Sequence, residues 1–243
     1  MLRLDSGDIK TLQNAVRQAS KPVVISHVNP DGDAVGSSTA MLSYLLSLGK
    51  DARIVLPSEI AATLSFIQDE ESAARTLTAE GHKIEATALI SAADLIICVD
   101  FNTLSRIDAV GDMVRSSSAV KVLIDHHPGP ERDAFDLVFS ETEVSSASEI
   151  VFWILKALCG GADRLPGRSP YALLCGMTTD SNNFGNSTFP STLEMASELI
   201  AAGVDREDIL AHIYNSYRQE RLRAMAHVLG KMKITDNGVA ILT

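Results

Sequence analysis

The chain has 243 residues, 46% of them hydrophobic, with a formal net charge of −10, enough to bury one large core or two modest ones. No apolar run is long enough to span a bilayer and the amino terminus has no basic-then-apolar leader, so the expectation is a cytoplasmic protein with no membrane partner. The acidic balance opposes binding of long nucleic acid, which would be repelled over most of the surface, yet leaves short phosphorylated molecules open because local charge decides there.

In chain order, the β-branched run Val23-Val24-Ile25 predicts a buried parallel strand, and His27-Val28-Asn29-Pro30-Asp31-Gly32-Asp33 follows it directly. Gly36-Ser37-Ser38 then opens an amphipathic helix through Ala40, Met41, Leu45, Leu46 and Leu48. The glycine there suits close packing, the serines suit capping, and helix-terminal N–H groups can also cradle phosphate. Further strands are expected at Arg53–Leu56, at Asp94–Asp100 with an aspartate at its end, at Val120–Ile124 ending in Asp125-His126-His127, and at Phe135–Phe139. Strands alternating with helices predict an α/β fold, a mostly parallel sheet with helices on both faces.

After Ser145 the pattern becomes helical. Ser146-Ala147-Ser148-Glu149 fits a capping box before the apolar run Ile150–Leu155, Ser169-Pro170 marks another helix start, and Leu173–Thr179 ends in Asp180. Ser191-Thr192-Leu193-Glu194 fits a second capping box, with a stop at Gly203. Tyr217–Met232 reads as a basic helix carrying Arg218, Arg221, Arg223, His227 and Lys231, and Lys233–Leu242 as a hairpin around Asn237-Gly238. Cys98, Cys159 and Cys175 all sit in apolar surroundings and form neither a disulfide framework nor a metal-binding pair.

Carboxylates and imidazoles at strand ends suit hard divalent cations, which need oxygen and nitrogen donors on a rigid frame. In open α/β sheets such groups point into the crevice where ligands bind. One aspartate at a strand end is weak evidence, since turns recruit Asp for its own hydrogen bonding; four segments with one chemistry are not.

HVNPDGDAVGS, ICVD, LIDHH and GMTTDS, in that order, resemble the four motifs of the DHH phosphoesterase superfamily, and Asn-Pro-Asp-Gly-Asp is most similar to its bacterial oligoribonuclease and 3'-phosphoadenosine 5'-phosphate phosphatase branch. The resemblance implies that His27, Asp31 and Asp100 hold one metal, that Asp33, Asp100, His126 and Asp180 hold a second, and that Asp100 bridges them. It implies that His127 faces the substrate phosphate, donating a hydrogen bond or protonating the leaving oxygen, while Asp125 orients a ligating imidazole from behind. Ser37, Ser145 and Ser146 are candidate substrate contacts, although capping alone explains the last two equally well. Two cations roughly 3.5–4 Å apart can stabilise the attacking and leaving oxygens of an in-line displacement by water. A donor set without thiolate favours two Mn²⁺, with Mg²⁺ or Co²⁺ as substitutes.

The implied activity is hydrolysis of short oligoribonucleotides to mononucleotides, together with nucleotide phosphates such as 3'-phosphoadenosine 5'-phosphate. The alternatives are a related hydrolase of pyrophosphate or cyclic dinucleotides, or a catalytically weak nucleotide-binding module. Relatives continue past such a linker helix into a second domain. The expected division is therefore a catalytic domain at 1–216, a linker helix at 217–232, and at 233–243 either the start of a DHHA1-type domain or strands that pair with another subunit in a homodimer. Ser181-Asn182-Asn183-Phe184-Gly185 departs from the Thr-Gly run and following basic residue common among relatives.

Overall fold

Six short runs form one parallel sheet in the computed structural model, which describes residues 4–214 and 219–242. The strands are β1 (Pro22–Ile25), β2 (Arg53–Leu56), β3 (Thr76–Thr78), β4 (Leu95–Val99), β5 (Val120–Asp125) and β6 (Leu137–Ser140). Their spatial order is β3-β2-β1-β4-β5-β6 and every neighbouring pair is parallel. β1 and β4 are buried along their whole length, the result expected of unbroken Val/Ile runs covered on both faces. The last strand begins at Leu137 rather than Phe135, because Phe135 closes a one-turn 3₁₀ helix over Arg132–Ala134.

Helices cover both faces. In chain order they are α1 (Ser6–Gln18), α2 (Gly32–Ser47), α3 (Glu70–Ala74), α4 (Lys83–Ala92), α5 (Ala109–Ser116), α6 (Ala147–Cys159), α7 (Ser169–Asp180) and α8 (Pro190–Ala201). On one face Val23, Ile25, Ile96, Cys98 and Leu123 pack with Ala86 and Ile90 of α4 and Val110 and Val114 of α5. On the other, α2 and α6 lie on the sheet and α7 packs across both. Helix α2 starts at Gly32, earlier than the glycine-serine signal suggests, because Asp31 is its N-cap: the carboxylate accepts from Asp33 N and Ala34 N, both at 3.0 Å. Helix α8 also starts early. Pro190 takes its first turn, and the Thr192 hydroxyl, rather than Glu194, accepts from the Phe189 amide.

Spatial order reverses between β1 and β4. The chain builds β1 to β3 outward on one side and β4 to β6 on the other, so the loops leaving β1 and β4 open a crevice between them.

The chain divides into two compact units, Met1–Arg206 and Glu207–Thr243. Helix α9 (Arg206–Tyr214) runs into the second unit, which also contains α10 (Gln219–Gly230) and an antiparallel hairpin of β7 (Lys233–Ile234) and β8 (Ala240–Ile241). Of the expected linker helix, Tyr217 and Arg218 lie outside the described residues. Among the described residues no helix is long and apolar enough to cross a membrane.

Candidate metal centre

His27 stands two residues beyond β1. Its Nδ1 lies 2.8 Å from the carbonyl oxygen of Val28; a carbonyl only accepts, so Nδ1 carries the proton and Nε2 is left as the ligand atom. That Nε2 is 3.3 Å from Asp100 Oδ2 and 3.9 Å from Asp31 Oδ1. Asp100 follows β4 with φ +63°, a left-handed conformation that an ordinary side chain adopts only under constraint and that concentrates at functional sites. Its amide donates to Ile124 O of β5, which pins the turn. Its second oxygen, Oδ1, is 3.4 Å from His126 Nε2. One buried carboxylate thus faces imidazoles from two different strand ends.

His126 Nε2 is also 3.6 Å from Asp180 Oδ2 and 4.0 Å from Asp33 Oδ2. Asp180 is the last residue of α7, and Asp33 lies in the first turn of α2. Asp33 is 1% exposed, and its two oxygens accept from Ala147 N at 2.6 Å and Ser148 N at 2.8 Å. The amides opening α6 therefore fix both of its oxygens at a helix N-terminus.

Two clusters result, His27–Asp31–Asp100 and Asp33–His126–Asp180, in each of which the ligand atoms lie within 4.8 Å of one another. Donors about 2.1 Å from a shared octahedral ion stand roughly 3 Å apart when adjacent and about 4.2 Å when opposite, so separations of 3.3 to 4.0 Å fit cations with little movement.

The electrostatics agree. Burial lowers the pKa of His27 and His126, but the hydrogen bond to Asp100 and the surrounding carboxylates outweigh it and raise each to about 9. Asp33 is pushed well above the usual carboxylate range by burial and then by Asp100 and Asp180. Asp180 is raised to about 6, burial being the main cause. For Asp100 burial acts upward too, yet the bonds from His126 and His27 keep its carboxyl low. The centre holds more negative charge than its own imidazoles neutralise, a field that cations relieve.

Two expected roles change. Asp125, fully buried, accepts from His127 N at 3.1 Å and pairs with His127 Nδ1 at 2.8 Å, so it orients His127 and not the ligand candidate His126. His127 Nδ1 also lies 4.0 Å from Asp100 and completes a third cluster with Asp100 and His126, but the shorter bond to Asp125 occupies it. The serines are spent internally. Ser37 Oγ donates to Asp33 O at 2.7 Å, Ser146 Oγ caps α6 through Glu149 N, and Ser145 Oγ donates to Glu149 Oε2 at 2.7 Å. All three are buried, and Ser146 Oγ also lies 3.3 Å from Ser145 Oγ.

Sequence reading missed Glu149 as a buried hub and Arg206 altogether. Arg206 donates to Asn183 Oδ1 and lies over the Phe184 ring, bringing a guanidinium to the loop after Asp180 that lacks its own basic residue. Long-range placement is the cause, and spacing carries no signal for it.

The model of the DHH family, N-terminal domain, matches residues 21–178. The crystal structure of an exopolyphosphatase-related protein from Bacteroides fragilis superposes with a TM-score of 0.90 at 33% identity, covering 98% of this chain and 69% of that one. The bifunctional oligoribonuclease and PAP phosphatase NrnA of Mycoplasma genitalium is 27% identical over 86% of this chain and 62% of its own length. The cyclic-di-AMP phosphodiesterase GdpP of Geobacillus thermodenitrificans is 28% identical over 95% of this chain and 35% of its own. With the ligand-bearing loops after β1, β4 and β5 all inside the matched span, the chain belongs to the DHH family of phosphoesterases.

Proposed function

We propose that this chain hydrolyses phosphodiester and phosphomonoester bonds of short oligoribonucleotides and nucleotide phosphates, using a pair of divalent cations, manganese first. The observation that carries the reading is Asp100, whose two oxygens each face a different imidazole at 3.3 and 3.4 Å. A carboxylate presenting one oxygen to each of two such sites would serve both. His27, Asp31 and Asp100 would hold one cation; Asp33, Asp100, His126 and Asp180 the other. The oxygen- and imidazole-only donor set suits Mn²⁺, with Mg²⁺ or Co²⁺ as substitutes. Bound there, such ions supply positive charge to the attacking and leaving oxygens at phosphorus and acidify water.

The chain's own groups do the rest. Asp125 fixes the His127 ring through Nδ1, which leaves Nε2 to face the leaving oxygen as its proton donor. With a side chain 41% exposed, His127 is the imidazole open to a bound phosphate.

The relatives' printed activities include both oligoribonucleotide and cyclic dinucleotide hydrolysis at 27% and 28% identity, so likeness does not choose between them. Assay of the protein with Mn²⁺, Mg²⁺ or chelator on a ribodinucleotide, 3'-phosphoadenosine 5'-phosphate, pyrophosphate and cyclic-di-AMP makes the choice. Mononucleotide release from the dinucleotide in Mn²⁺, with ¹⁸O from labelled water entering the phosphate, is expected. Turnover of cyclic-di-AMP or pyrophosphate alone would replace the substrate reading, and chelator-resistant activity would end the metal one.

A further inference from the structure

We infer that Glu149 is a positioning residue for one half of the metal centre, the Asp33–His126–Asp180 cluster, and acts on it through two helix N-termini; this rests on the metal reading above. Glu149 lies in the first turn of α6 and is fully buried. Its Oε2 accepts three hydrogen bonds: Ser145 N at 2.9 Å, Ser145 Oγ at 2.7 Å and Thr192 Oγ1 at 2.7 Å. Its Oε1 accepts none from the protein. A buried carboxylate is costly, and capping α6 does not require its side chain, because Ser146 Oγ already satisfies Glu149 N.

What the carboxylate does instead is tie three segments together. By gripping both donors of Ser145 it fixes the entry into α6, which aims Ala147 N and Ser148 N at the two oxygens of Asp33. By gripping Thr192 it fixes the first turn of α8, the far end of the loop that leaves Asp180. Asp33 and Asp180 belong to the same cluster. No hydrogen bond from Glu149 runs to His27, Asp31 or Asp100, so the other cluster lies outside its reach among the described bonds.

Because all three bonds fall on one oxygen, Gln can reproduce them with its carbonyl, whereas Leu cannot. The experiment titrates Mn²⁺ into the whole protein by calorimetry and electron paramagnetic resonance, comparing wild type, Glu149→Gln, Glu149→Leu and Thr192→Val. Wild type should take up two ions and show their spin coupling. Glu149→Gln should match it. Glu149→Leu and Thr192→Val should keep one ion at wild-type affinity and bind the second about 10–100-fold more weakly, the range for lost outer partners of a metal ligand, with the coupled signal lost at limiting metal. Thr192→Val is nearly isosteric and keeps the test open should Glu149→Leu not fold. Equal weakening of both ions in Thr192→Val, or unchanged binding there, overturns the inference, as does failure of Glu149→Gln to rescue. A wild type that binds no second ion sinks the two-metal reading itself, a separate outcome.

Discussion

Affinity for divalent metal should climb steeply as pH rises from 6.5 to 9, because each cation must displace a proton from an imidazole. His27 and His126, one in each cluster, sit at about 9 in the metal-free protein. A ligating imidazole must be neutral. At pH 7 only about 1% of a group with that pKa is neutral, so binding at each site should be roughly 100-fold weaker than its limit, and should improve about tenfold per pH unit until the plateau.

Stability of the metal-free protein should move the other way. Both folded-state values lie above the unfolded value of 6.5, so the stabilisation each proton brings is complete below pH 6.5 and is lost as pH rises through 9, on the order of 3 kcal/mol per imidazole. Asp180, raised to about 6 chiefly by burial, acts with the same sign at lower pH, and Asp33, pushed above the usual carboxylate range by burial, acts in the same direction. Competition for Mn²⁺ against a chromophoric chelator at about pH 6.5, 7.5 and 8.5, paired with thermal melts in excess chelator, measures both trends. Metal affinity flat across that range, or a metal-free Tm that rises with pH, would refute the assignment of these imidazoles as proton-loaded ligands.

Asp100→Asn should lower turnover by orders of magnitude with the circular dichroism spectrum unchanged, since a neutral amide cannot balance two cations; near-wild-type kcat would remove the bridging role. His126→Ala should lose bound metal in an equilibrium titration, whereas His127→Ala should keep it and lose about 10²–10⁴-fold in kcat, the scale of general acid catalysis. Asp125→Asn should follow His127→Ala rather than His126→Ala, and metal loss in that variant would return Asp125 to the role expected from sequence. Gly36→Ala should cost about 1–3 kcal/mol in denaturant melts, the penalty for overpacking, because its Cβ would stand 2.5 Å from the Ala172 carbonyl oxygen.

The parts of the fold that were legible are those where burial on both faces writes a continuous apolar run. β1, β4 and β5 announce themselves by Val23–Ile25, Leu95–Val99 and Val122–Ile124, and the ligand candidates directly follow these runs, so most of the centre was readable too. β3 was not: Thr76–Thr78 is short, half-buried and threonine-rich, an edge strand with no period to detect. Side-chain roles failed wherever the partner is remote or the choice is between adjacent residues. Nothing in Asp125-His126-His127 says which imidazole the aspartate turns toward. The strand end decides it, by placing His127 N 3.1 Å from Asp125 Oδ2 and so folding the second histidine back on its own chain. The serines suit a phosphate cradle and an N-cap alike, and the bonds they make inside the fold, Ser146 Oγ to Glu149 N among them, were not legible in the sequence.

The glycine of Asp31-Gly32-Asp33 shows a related ambiguity, and it explains how ligands from two layers meet. Glycine between two aspartates suggests a turn that needs positive φ, yet Gly32 is the first residue of α2 and is absent from the positive-φ positions. Its requirement is space: an added Cβ would lie 2.2 Å from Thr179 Oγ1. Further along, a Cβ on Gly36 would meet the α7 backbone at Ala172 and Gly176, and one on Gly176 would lie 2.1 Å from Ser148 Oγ and 3.0 Å from Asp33 Oδ1. Three missing side chains thus let α2 and α7 approach at backbone distance, with α6 against their junction. Asp180 ends α7 one residue beyond Thr179, so that approach carries its carboxylate to within 3.6 Å of His126 Nε2. The strand ends alone supply His27, Asp100 and His126; the second cluster of candidate ligands is completed because glycine closes the gap between helices.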